Sequence, residues 1–335
     1  MIFPRLLVAL GVVGSLAGPA SAQIKMEGYF VAKQSCPAYQ SFKKRTNPGE
    51  LSVNVNEAYT LIGKNKEPVE YYQILIEETK PQQRWVNAKC GEYLSKEQAE
   101  QGEGRGNSGE IGSGVDGSPA YVLAASWQPS FCETRPSKTE CKTQNSNRFD
   151  ASNLVLHGLW PQPRGNVYCG VSDVIRLTDK NGNWKELPKL KLSEELRKDL
   201  EKIMPGYASY LHRHEWYKHG TCYGSTAQQY FDHSLDLMEQ LNLSAVNTLF
   251  SENIGDYIGA EDIRNSFDEA FGQGAGAKVE VDCDVVGGRR LIGELRIHLQ
   301  GTLNEGAAFA DLLENAPSAK QGCSGGIVDE VGLGN

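Results

Sequence analysis

The sequence predicts an α+β fold in two parts, a small all-β domain followed by a larger mixed domain. Three observations support this prediction. Short β-branched runs separated by turns fill residues 24–94, and a glycine-rich segment covers residues 95–118. Strand-like and helix-like stretches then occur in irregular order over residues 119–335. This irregular order favours an α+β domain over a doubly wound parallel sheet.

The first part contains five strand-like runs, at residues 29–31, 51–55, 58–62, 71–76 and 84–87. Turn signals such as Asn47-Pro48-Gly49 and Lys80-Pro81 separate these runs. Five short strands in succession indicate a small barrel, and the pattern resembles a bacterial Src-homology-3-like (SH3-like) domain. Two interpretations of this part stay open. It is either a targeting module for a cell surface, a peptide or RNA, or a structural appendage.

The second part begins after the predicted flexible linker of residues 95–118, in which glycines alternate with Ser, Glu and Asp. A rigid ligand-binding glycine loop is disfavoured because no strand precedes it and no helix follows it. Ser193 is the predicted N-cap of a helix that runs to about Met204, and a second helix is predicted over residues 227–241. Strands are predicted at residues 121–127, 153–157, 278–283 and 291–299.

The N-terminal residues predict export of the chain. Arg5 is the only charged residue before Lys25, and an apolar run from Leu6 to Ala17 is followed by Ala20-Ser21-Ala22. We therefore expect a signal peptide over residues 1–22 and a secreted or periplasmic protein. A membrane anchor is disfavoured by the shortness of the run, and no later segment has the apolar length of a span. Export makes the eight cysteines candidates for disulfides.

The charge of the chain excludes a basic protein that coats nucleic acid, because its 335 residues carry a net charge of −8. The content of 39% hydrophobic and 23% charged residues is that of an ordinary globular protein. The charge is unevenly distributed. Residues 119–222 hold 15 basic and 11 acidic side chains, whereas residues 223–335 hold 6 basic and 18 acidic ones. The segment with most of the chemistry-bearing residues is therefore locally basic.

Two short segments carry the candidate chemistry: Leu156-His157-Gly158-Leu159-Trp160-Pro161, and the run from His214 to Cys222. If residues 213–220 form a helix, Glu215 and His219 share a face because they are four residues apart. His214 and Lys218 form the adjacent pair on that helix. His157 lies on a separate predicted strand, from which it can face the same cleft.

A zinc protease is the competing interpretation of this helix. The zinc-binding pattern His-Glu-x-x-His places its histidines four apart, whereas His214 and His219 are five apart. On an ideal helix the two rings would point well apart, so we expect no metal site. Three isolated histidines are predicted to be structural: His212, His233 and His298.

The two segments, in this order, resemble the paired active-site signatures of the ribonuclease T2 family of secreted, metal-independent endoribonucleases. The resemblance covers about residues 119–325 and is supported by Ala125-Ser126-Trp127-Gln128-Pro129 and Phe131-Cys132. It implies a central antiparallel sheet with flanking helices. By the same resemblance Cys132 pairs with Cys141, Cys169 with Cys222, and Cys283 with Cys323, which leaves Cys36 with Cys90.

The resemblance also implies an acid–base reaction that requires no cofactor. RNA carries its own nucleophile, the 2′-hydroxyl beside the scissile phosphate, and imidazole suits both proton transfers near neutral pH. His219 is the implied general base and His157 the implied general acid. The products are a 2′,3′-cyclic phosphate and then a 3′-phosphate. The predicted partner is single-stranded RNA, and we expect a monomer.

Other residues receive supporting roles from the resemblance. His214 and Lys218 would hold the phosphate, and Glu215 would polarise it or orient His219, although Glu215 could instead pair with Lys218. Trp160 would stack on a base and Tyr168 would form a second wall, with core packing as the alternative for Trp160.

Two positions depart from the family pattern: the basic lead-in Leu211-His212-Arg213, and Gln162 where many relatives are acidic. Base preference is therefore left open. A rival hypothesis is a secreted binding protein with a degenerate nuclease fold. The complete set of predicted catalytic and phosphate-binding side chains argues against degeneracy: His157, His214, Glu215, Lys218 and His219.

Overall fold

The computed structural model describes residues 23–55, 57–76, 79–95 and 118–332, which fall into two compact units divided between Lys96 and Glu97. The predicted signal peptide and nearly all of the predicted linker lie outside the described residues. Within the described ranges, no helix has the length and apolar character needed to cross a bilayer.

The first unit is built on an open antiparallel sheet. Its strands are β1 (Ile24–Ala32), β2 (Cys36–Pro37), β3 (Ser52–Val53), β4 (Ala58–Lys64), β5 (Tyr71–Leu75), β6 (Gln83–Asn87) and β7 (Gly91–Leu94). The sheet order is β6-β5-β4-β1-β7, and β2 pairs separately with β3. Burial alternates along β4, as expected for a strand with one face in the core. The core includes Phe30, Leu61, Ile74 and Val86.

The prediction that this sheet closes into an SH3-like barrel is not confirmed. The outer edge of β6 is occupied by Tyr39, whose backbone exchanges hydrogen bonds of 2.8 and 2.7 Å with Trp85. The chain after Cys90 forms β7, which pairs with β1 at the other end of the sheet. Among the described residues, therefore, no strand joins the two ends. A disulfide between Cys36 and Cys90 ties β2 to the turn before β7.

The second unit contains a six-stranded sheet. Its strands are β8 (Ala120–Ser126), β9 (Val155–Pro161), β10 (Tyr257–Gly259), β11 (Val279–Val286), β12 (Arg289–Gln300) and β13 (Gly325–Ile327). Their order is β10-β13-β12-β8-β9, with β11 paired to β12. The predicted antiparallel pairing holds for all neighbours except β12 and β13, which run parallel and meet at Leu291 and Ile327. The mixed α+β class is confirmed.

The helices of this unit are α1 (Gln128–Thr134), α2 (Thr139–Lys142), α3 (Asp173–Lys180), α4 (Glu194–Ile203), α5 (Leu211–Lys218), α6 (Ala227–Asn242), α7 (Ala245–Glu252), α8 (Ala260–Phe271) and α9 (Phe309–Glu314). The predicted cap of α4 is confirmed, because the Ser193 hydroxyl accepts a hydrogen bond from the Leu196 amide. Ser172 and Thr226 cap α3 and α6 in the same way. These caps explain why the predicted helix starts were accurate.

The core of the second unit lies between the sheet and the helices. Trp127 is fully buried, and its indole N–H donates a 2.7 Å hydrogen bond to the Asp329 carbonyl. Tyr217 of α5 and Tyr230 of α6 are also fully buried. The Tyr230 hydroxyl donates to the Leu159 carbonyl, which fixes α6 against β9. The three remaining disulfides have the expected pairing: Cys132–Cys141, Cys169–Cys222 and Cys283–Cys323.

Candidate active site

A β-bulge in β9 brings the first motif into the site. Ala124 of β8 pairs with Gly158 and Ala125 pairs with Leu156, so His157 has no partner on β8. Residues three apart on a regular strand face opposite sides, but the extra residue of a bulge re-aims its side chain. His157 and Trp160 accordingly lie close together, with ring centroids 5.3 Å apart and ring planes nearly perpendicular.

Gly158 makes room for the second motif. A Cβ added at this position would collide with the carboxylate of Glu215 and would lie 2.8 Å from the Trp160 indole nitrogen. The absence of a side chain is therefore required by the close approach of α5 to β9. This requirement gives the glycine of the first motif a physical reason.

The second motif lies on α5 and at its C-terminal end. The helix ends at Lys218, and His219 is the C-cap residue with φ −114° and ψ −50°. The expectation that the His214 and His219 rings point well apart is wrong, since their centroids are 6.3 Å apart. The amide of His219 still donates to the Glu215 carbonyl, but its φ of −114° lies far from the ideal helical value, so the last residue of the segment does not follow an ideal helix.

His157 contacts carboxylates on two elements. Its Nδ1 lies 2.6 Å from Glu294 Oε2 on β12, and its Nε2 lies 3.6 Å from Glu215 Oε1 on α5. Burial lowers the pKa of His157, but the hydrogen bond to Glu294 and the two negative charges outweigh it and raise the pKa to about 9. His157 is therefore protonated near neutral pH.

His219 has the opposite electrostatic environment. Burial lowers its pKa, and the nearby charges of Lys218, His214 and His157 lower it further, to about 2. Its ring lies 5.5 Å from the ring of Trp160. One cleft thus contains a cationic imidazole and a neutral one, which is the pairing that a general acid and a general base require.

Glu215 lies between the imidazoles of His157 and His214 and is fully buried. Its Oε2 accepts a 2.9 Å hydrogen bond from the Trp160 indole. Its Oε1 lies 3.6 Å from His157 Nε2 and 3.8 Å from His214 Nε2, and it has no hydrogen-bond partner. Within the described residues, its ion-pair contacts are with these histidines and not with Lys218. The indole contact also places Trp160 in the site and not in the apolar core.

His214 is held by a residue outside both motifs. Its Nδ1 lies 2.7 Å from Asp179 Oδ1 on α3, and its ring stacks on Trp184 at 4.5 Å. The Tyr168 hydroxyl donates a 2.7 Å hydrogen bond to the other oxygen of Asp179. The Tyr168 amide also donates to the Lys218 carbonyl. Tyr168 thus borders the site, where its hydroxyl is bound to Asp179.

A metal ion is geometrically compatible with three of these residues. One ligand atom from each of His214, Glu215 and His219 lies within 4.8 Å of the others. The positive charge of Lys218, which lowers the pKa of His157 and His219, disfavours a cation at this point. The same charge favours an anion such as phosphate.

A cavity of about 350 Å³ adjoins His157 and is lined in part by Phe131, Arg135, Lys138 and Leu211. A larger cavity of about 840 Å³ contains none of the motif residues in its lining and is lined in part by five carboxylates, namely Glu195, Asp199, Asp232, Asp236 and Glu305. The lining of the first cavity mixes cations such as Arg135 and Lys138 with carboxylates such as Glu140, so a polyanion is repelled less there than at the second cavity.

Of the histidines predicted to be structural, His212 is buried and stacks on Tyr207 at a centroid distance of 3.8 Å. Burial and the charge of Arg213 lower its pKa to about 3. The sequence analysis did not identify Asp179, Trp184 or Glu294. They lie outside both motifs, and only the folded chain brings them to the imidazoles.

The comparisons with known proteins identify the family of the chain. The model of the Ribonuclease T2 family matches residues 119–309, which is more than half of the chain. Ribonuclease I of Escherichia coli (strain K12) is 28% identical over 184 residues, covering 49% of this chain and 69% of the relative. A probable ribonuclease of Haemophilus influenzae is 37% identical over 128 residues, covering 37% of this chain and 43% of the relative.

Among solved structures, the chain is similar to RNase NT in complex with 5′-AMP, with a TM-score of 0.44, 18% identity, and coverage of 63% of this chain and 98% of that one. The family match and the named ribonucleases among the relatives support an endoribonuclease. The chain belongs to the ribonuclease T2 family.

Proposed function

We propose that the second unit is a metal-independent endoribonuclease that cleaves single-stranded RNA by transfer of the phosphate to the neighbouring 2′-oxygen. The observation that carries this proposal is the convergence of His157, Glu215 and His219 on one cleft beside Trp160. The surroundings raise the pKa of His157 and lower that of His219, which suits an acid and a base. Family membership supplies independent support.

In the first step, the neutral ring of His219 accepts the proton of the 2′-hydroxyl, and the 2′-oxygen attacks phosphorus. The bond from phosphorus to the 5′-oxygen breaks, and His157 donates its proton to that oxygen. The products are a 2′,3′-cyclic phosphate and a free 5′-hydroxyl. In the slower second step the two histidines exchange roles: His157 accepts a proton from water, which attacks the cyclic phosphate. The bond from phosphorus to the 2′-oxygen breaks, His219 donates its proton to that oxygen, and a 3′-phosphate forms.

The phosphate is bound by His214 and Lys218 in this proposal. Extra negative charge develops on the non-bridging oxygens in the transition state, so a fixed ammonium and a hydrogen-bond donor stabilise it. His214 Nε2 faces Glu215, and its Nδ1 is held by Asp179, which orients the ring. The unpartnered Oε1 of Glu215 is an acceptor for a proton on the phosphate or on either imidazole.

RNA bases would stack on Trp160, with Tyr168 as a second wall. The half-buried indole of Trp160 is fixed by its hydrogen bond to Glu215, and a fixed aromatic face binds any base without strong selectivity. The cavity beside His157, whose lining includes Arg135 and Lys138, supplies space for the nucleotide on the leaving-group side. We further propose that the protein is a secreted or periplasmic monomer and that the first unit attaches it to a cell surface, a peptide or RNA.

The direct test is digestion of RNA and DNA by the mature protein in excess EDTA near pH 5 and pH 7. We expect RNA to be degraded to 2′,3′-cyclic and 3′-phosphate ends, and DNA to be left intact because it lacks the 2′-hydroxyl. Mass spectrometry of the product ends distinguishes this reaction from hydrolysis to 5′-phosphates.

The control variant is His219→Ala, which should fold normally by circular dichroism but lose most turnover. Loss of wild-type activity in EDTA would support the alternative in which a metal ion binds His214, Glu215 and His219. Intact RNA under all these conditions would support the degenerate binding protein instead.

A further inference from the structure

Glu294 is a buried carboxylate that neither motif contains. It lies on β12, opposite Ser126 of β8, and its residue is 9% exposed. Its Oε2 lies 2.6 Å from His157 Nδ1 and accepts a 3.2 Å hydrogen bond from the Ser126 hydroxyl. Its Oε1 accepts a 2.9 Å hydrogen bond from Arg296 Nε. Both oxygens are therefore bound, and the carboxylate is fixed in place.

The guanidinium of Arg296 binds the oxygen of Glu294 that does not contact His157. Arg296 Nη2 donates a 2.6 Å hydrogen bond to Asp282 Oδ2 on β11, whereas Nη1 lies 4.0 Å from Glu280 Oε1 on the same strand, too far for a hydrogen bond. Three strands thus contribute to the position of one carboxylate. Such a network fixes the direction in which Glu294 accepts a hydrogen bond.

The contact with Glu294 determines which nitrogen of His157 faces the substrate. The proton on Nδ1 is donated to Glu294, so Nε2 is the atom left facing Glu215 and the cleft. An imidazole held in one orientation by a carboxylate presents its transferable proton from the opposite nitrogen.

We propose that Glu294 is a positioning residue for proton donation: it binds Nδ1 of His157 so that Nε2 delivers a proton to the 5′-oxygen leaving group. This inference rests on the proposed function. The proton donor is then a chain of three residues, Arg296–Glu294–His157. Of these three, only His157 belongs to a sequence motif.

The charges around His157 are consistent with this role. Glu294 on β12 and Glu215 on α5 raise the pKa of His157, whereas burial and the charge of Lys218 lower it. Burial raises the pKa of Glu294, but its contacts with His157 and Arg296 outweigh that effect and lower it. Two further neighbours are the ring of His219 and the indole of Trp160. The cavity beside His157 is also lined by Arg135, Lys138 and Asp284.

The test measures kcat/KM of the wild-type protein and of the Glu294→Gln variant on two substrates. One is a uridylyl dinucleotide, and the other is uridine 3′-(4-nitrophenyl phosphate), whose leaving group needs no proton. In Glu294→Gln, kcat/KM for the dinucleotide at pH 8 should fall about tenfold or more, because a smaller fraction of His157 is protonated at that pH and its ring is misaligned. The aryl ester should keep wild-type kcat/KM to within about twofold, because its reaction bypasses general acid catalysis.

The pH profile gives a second readout that a merely structural role would not move. His157 must be protonated, so dinucleotide cleavage declines as pH rises through its pKa. Without the charge of Glu294 that alkaline limb should move about one to three pH units lower. Glu294→Asp, which keeps the charge, should keep the limb near its wild-type position and serves as the rescue variant if Glu294→Gln folds poorly.

Glu280→Gln is the matched control. The Glu280 carboxylate lies near the guanidinium of Arg296 but does not contact His157. Equal loss on both substrates, an unmoved alkaline limb, or a control that behaves as Glu294→Gln does would overturn the inference. Failure of the proposed function is distinguishable from these results, because the wild-type protein would then cleave neither substrate.

Discussion

The strand side and the helix side of the cleft contain the same side chain in opposite electrostatic environments. On the strand side, His157 contacts Glu294 and Glu215, and its pKa is raised to about 9. On the helix side, burial and the positive charge of Lys218 lower the pKa of His219 to about 2. The neighbours of each imidazole, and not the imidazole itself, decide which proton transfer it can perform.

This difference indicates a division of labour between the elements. The sheet supplies Glu294, which together with Glu215 of α5 keeps a proton on His157, whereas burial and the charge of Lys218 at the end of α5 keep His219 neutral. Two titratable groups whose environments separate their pKa values are the physical basis of an acid and base pair.

Removal of either imidazole should have the largest effect. His157→Ala and His219→Ala should each lower kcat/KM for RNA about 10³-fold, within the usual range for general acid–base catalysis. The double variant should be little worse than either single one, because the two residues act in one concerted step. Steady-state kinetics measures this effect, with His298→Gln on β12 as a control that should keep wild-type activity. Fully additive losses would show that the imidazoles act independently.

Overpacking the contact between β9 and α5 should have an intermediate effect on kcat/KM. In Gly158→Ala the new methyl group would displace the Glu215 carboxylate from between the imidazoles. We expect kcat/KM to fall about tenfold to hundredfold and the free energy of unfolding to fall by about 1–3 kcal/mol, as in other overpacked sites. Denaturant unfolding and kinetics measure both quantities. Wild-type activity together with wild-type stability would contradict the close contact of α5 with β9.

Weakening the contact that orients His214, the proposed phosphate-binding residue, should have the smallest effect on catalysis. Asp179→Asn removes the charge that orients His214 but leaves both proton-transfer groups in place. We expect KM for RNA to rise several-fold with kcat nearly unchanged, because ground-state and transition-state binding weaken together. Asp173→Asn on the same helix is the matched control, since Asp173 is exposed and pairs with Arg176. A fall in kcat alone would assign Asp179 to the proton transfers instead.

The local elements and the two motifs were predictable from the sequence because their signals are local. The cap at Ser193, the helix over residues 227–241, and the alternation along β11 and β12 depend on neighbouring residues alone. The residues of both motifs do meet in one cleft, as the resemblance implied.

What the sequence did not predict depends on tertiary contacts. The bulge at His157 arises from the pairing of β9 with β8, and the cap geometry of His219 departs from an ideal helix. Glu294 is one of several polar residues in an alternating strand, and nothing nearby distinguishes it. The predicted barrel failed for a similar reason, because Tyr39 occupies the β6 edge through backbone hydrogen bonds that no side-chain pattern encodes.

The most direct test of the central contrast is an NMR titration of the imidazoles in the protein without substrate. Histidine-labelled protein would be followed from pH 4 to pH 10, with His157→Asn and His219→Asn assigning the two resonances. His157 should keep its proton through neutrality and lose it on the alkaline side, whereas His219 should stay neutral throughout. The reverse order, or titration of both rings near the ordinary histidine pKa, would contradict the assignment of His157 as acid and His219 as base.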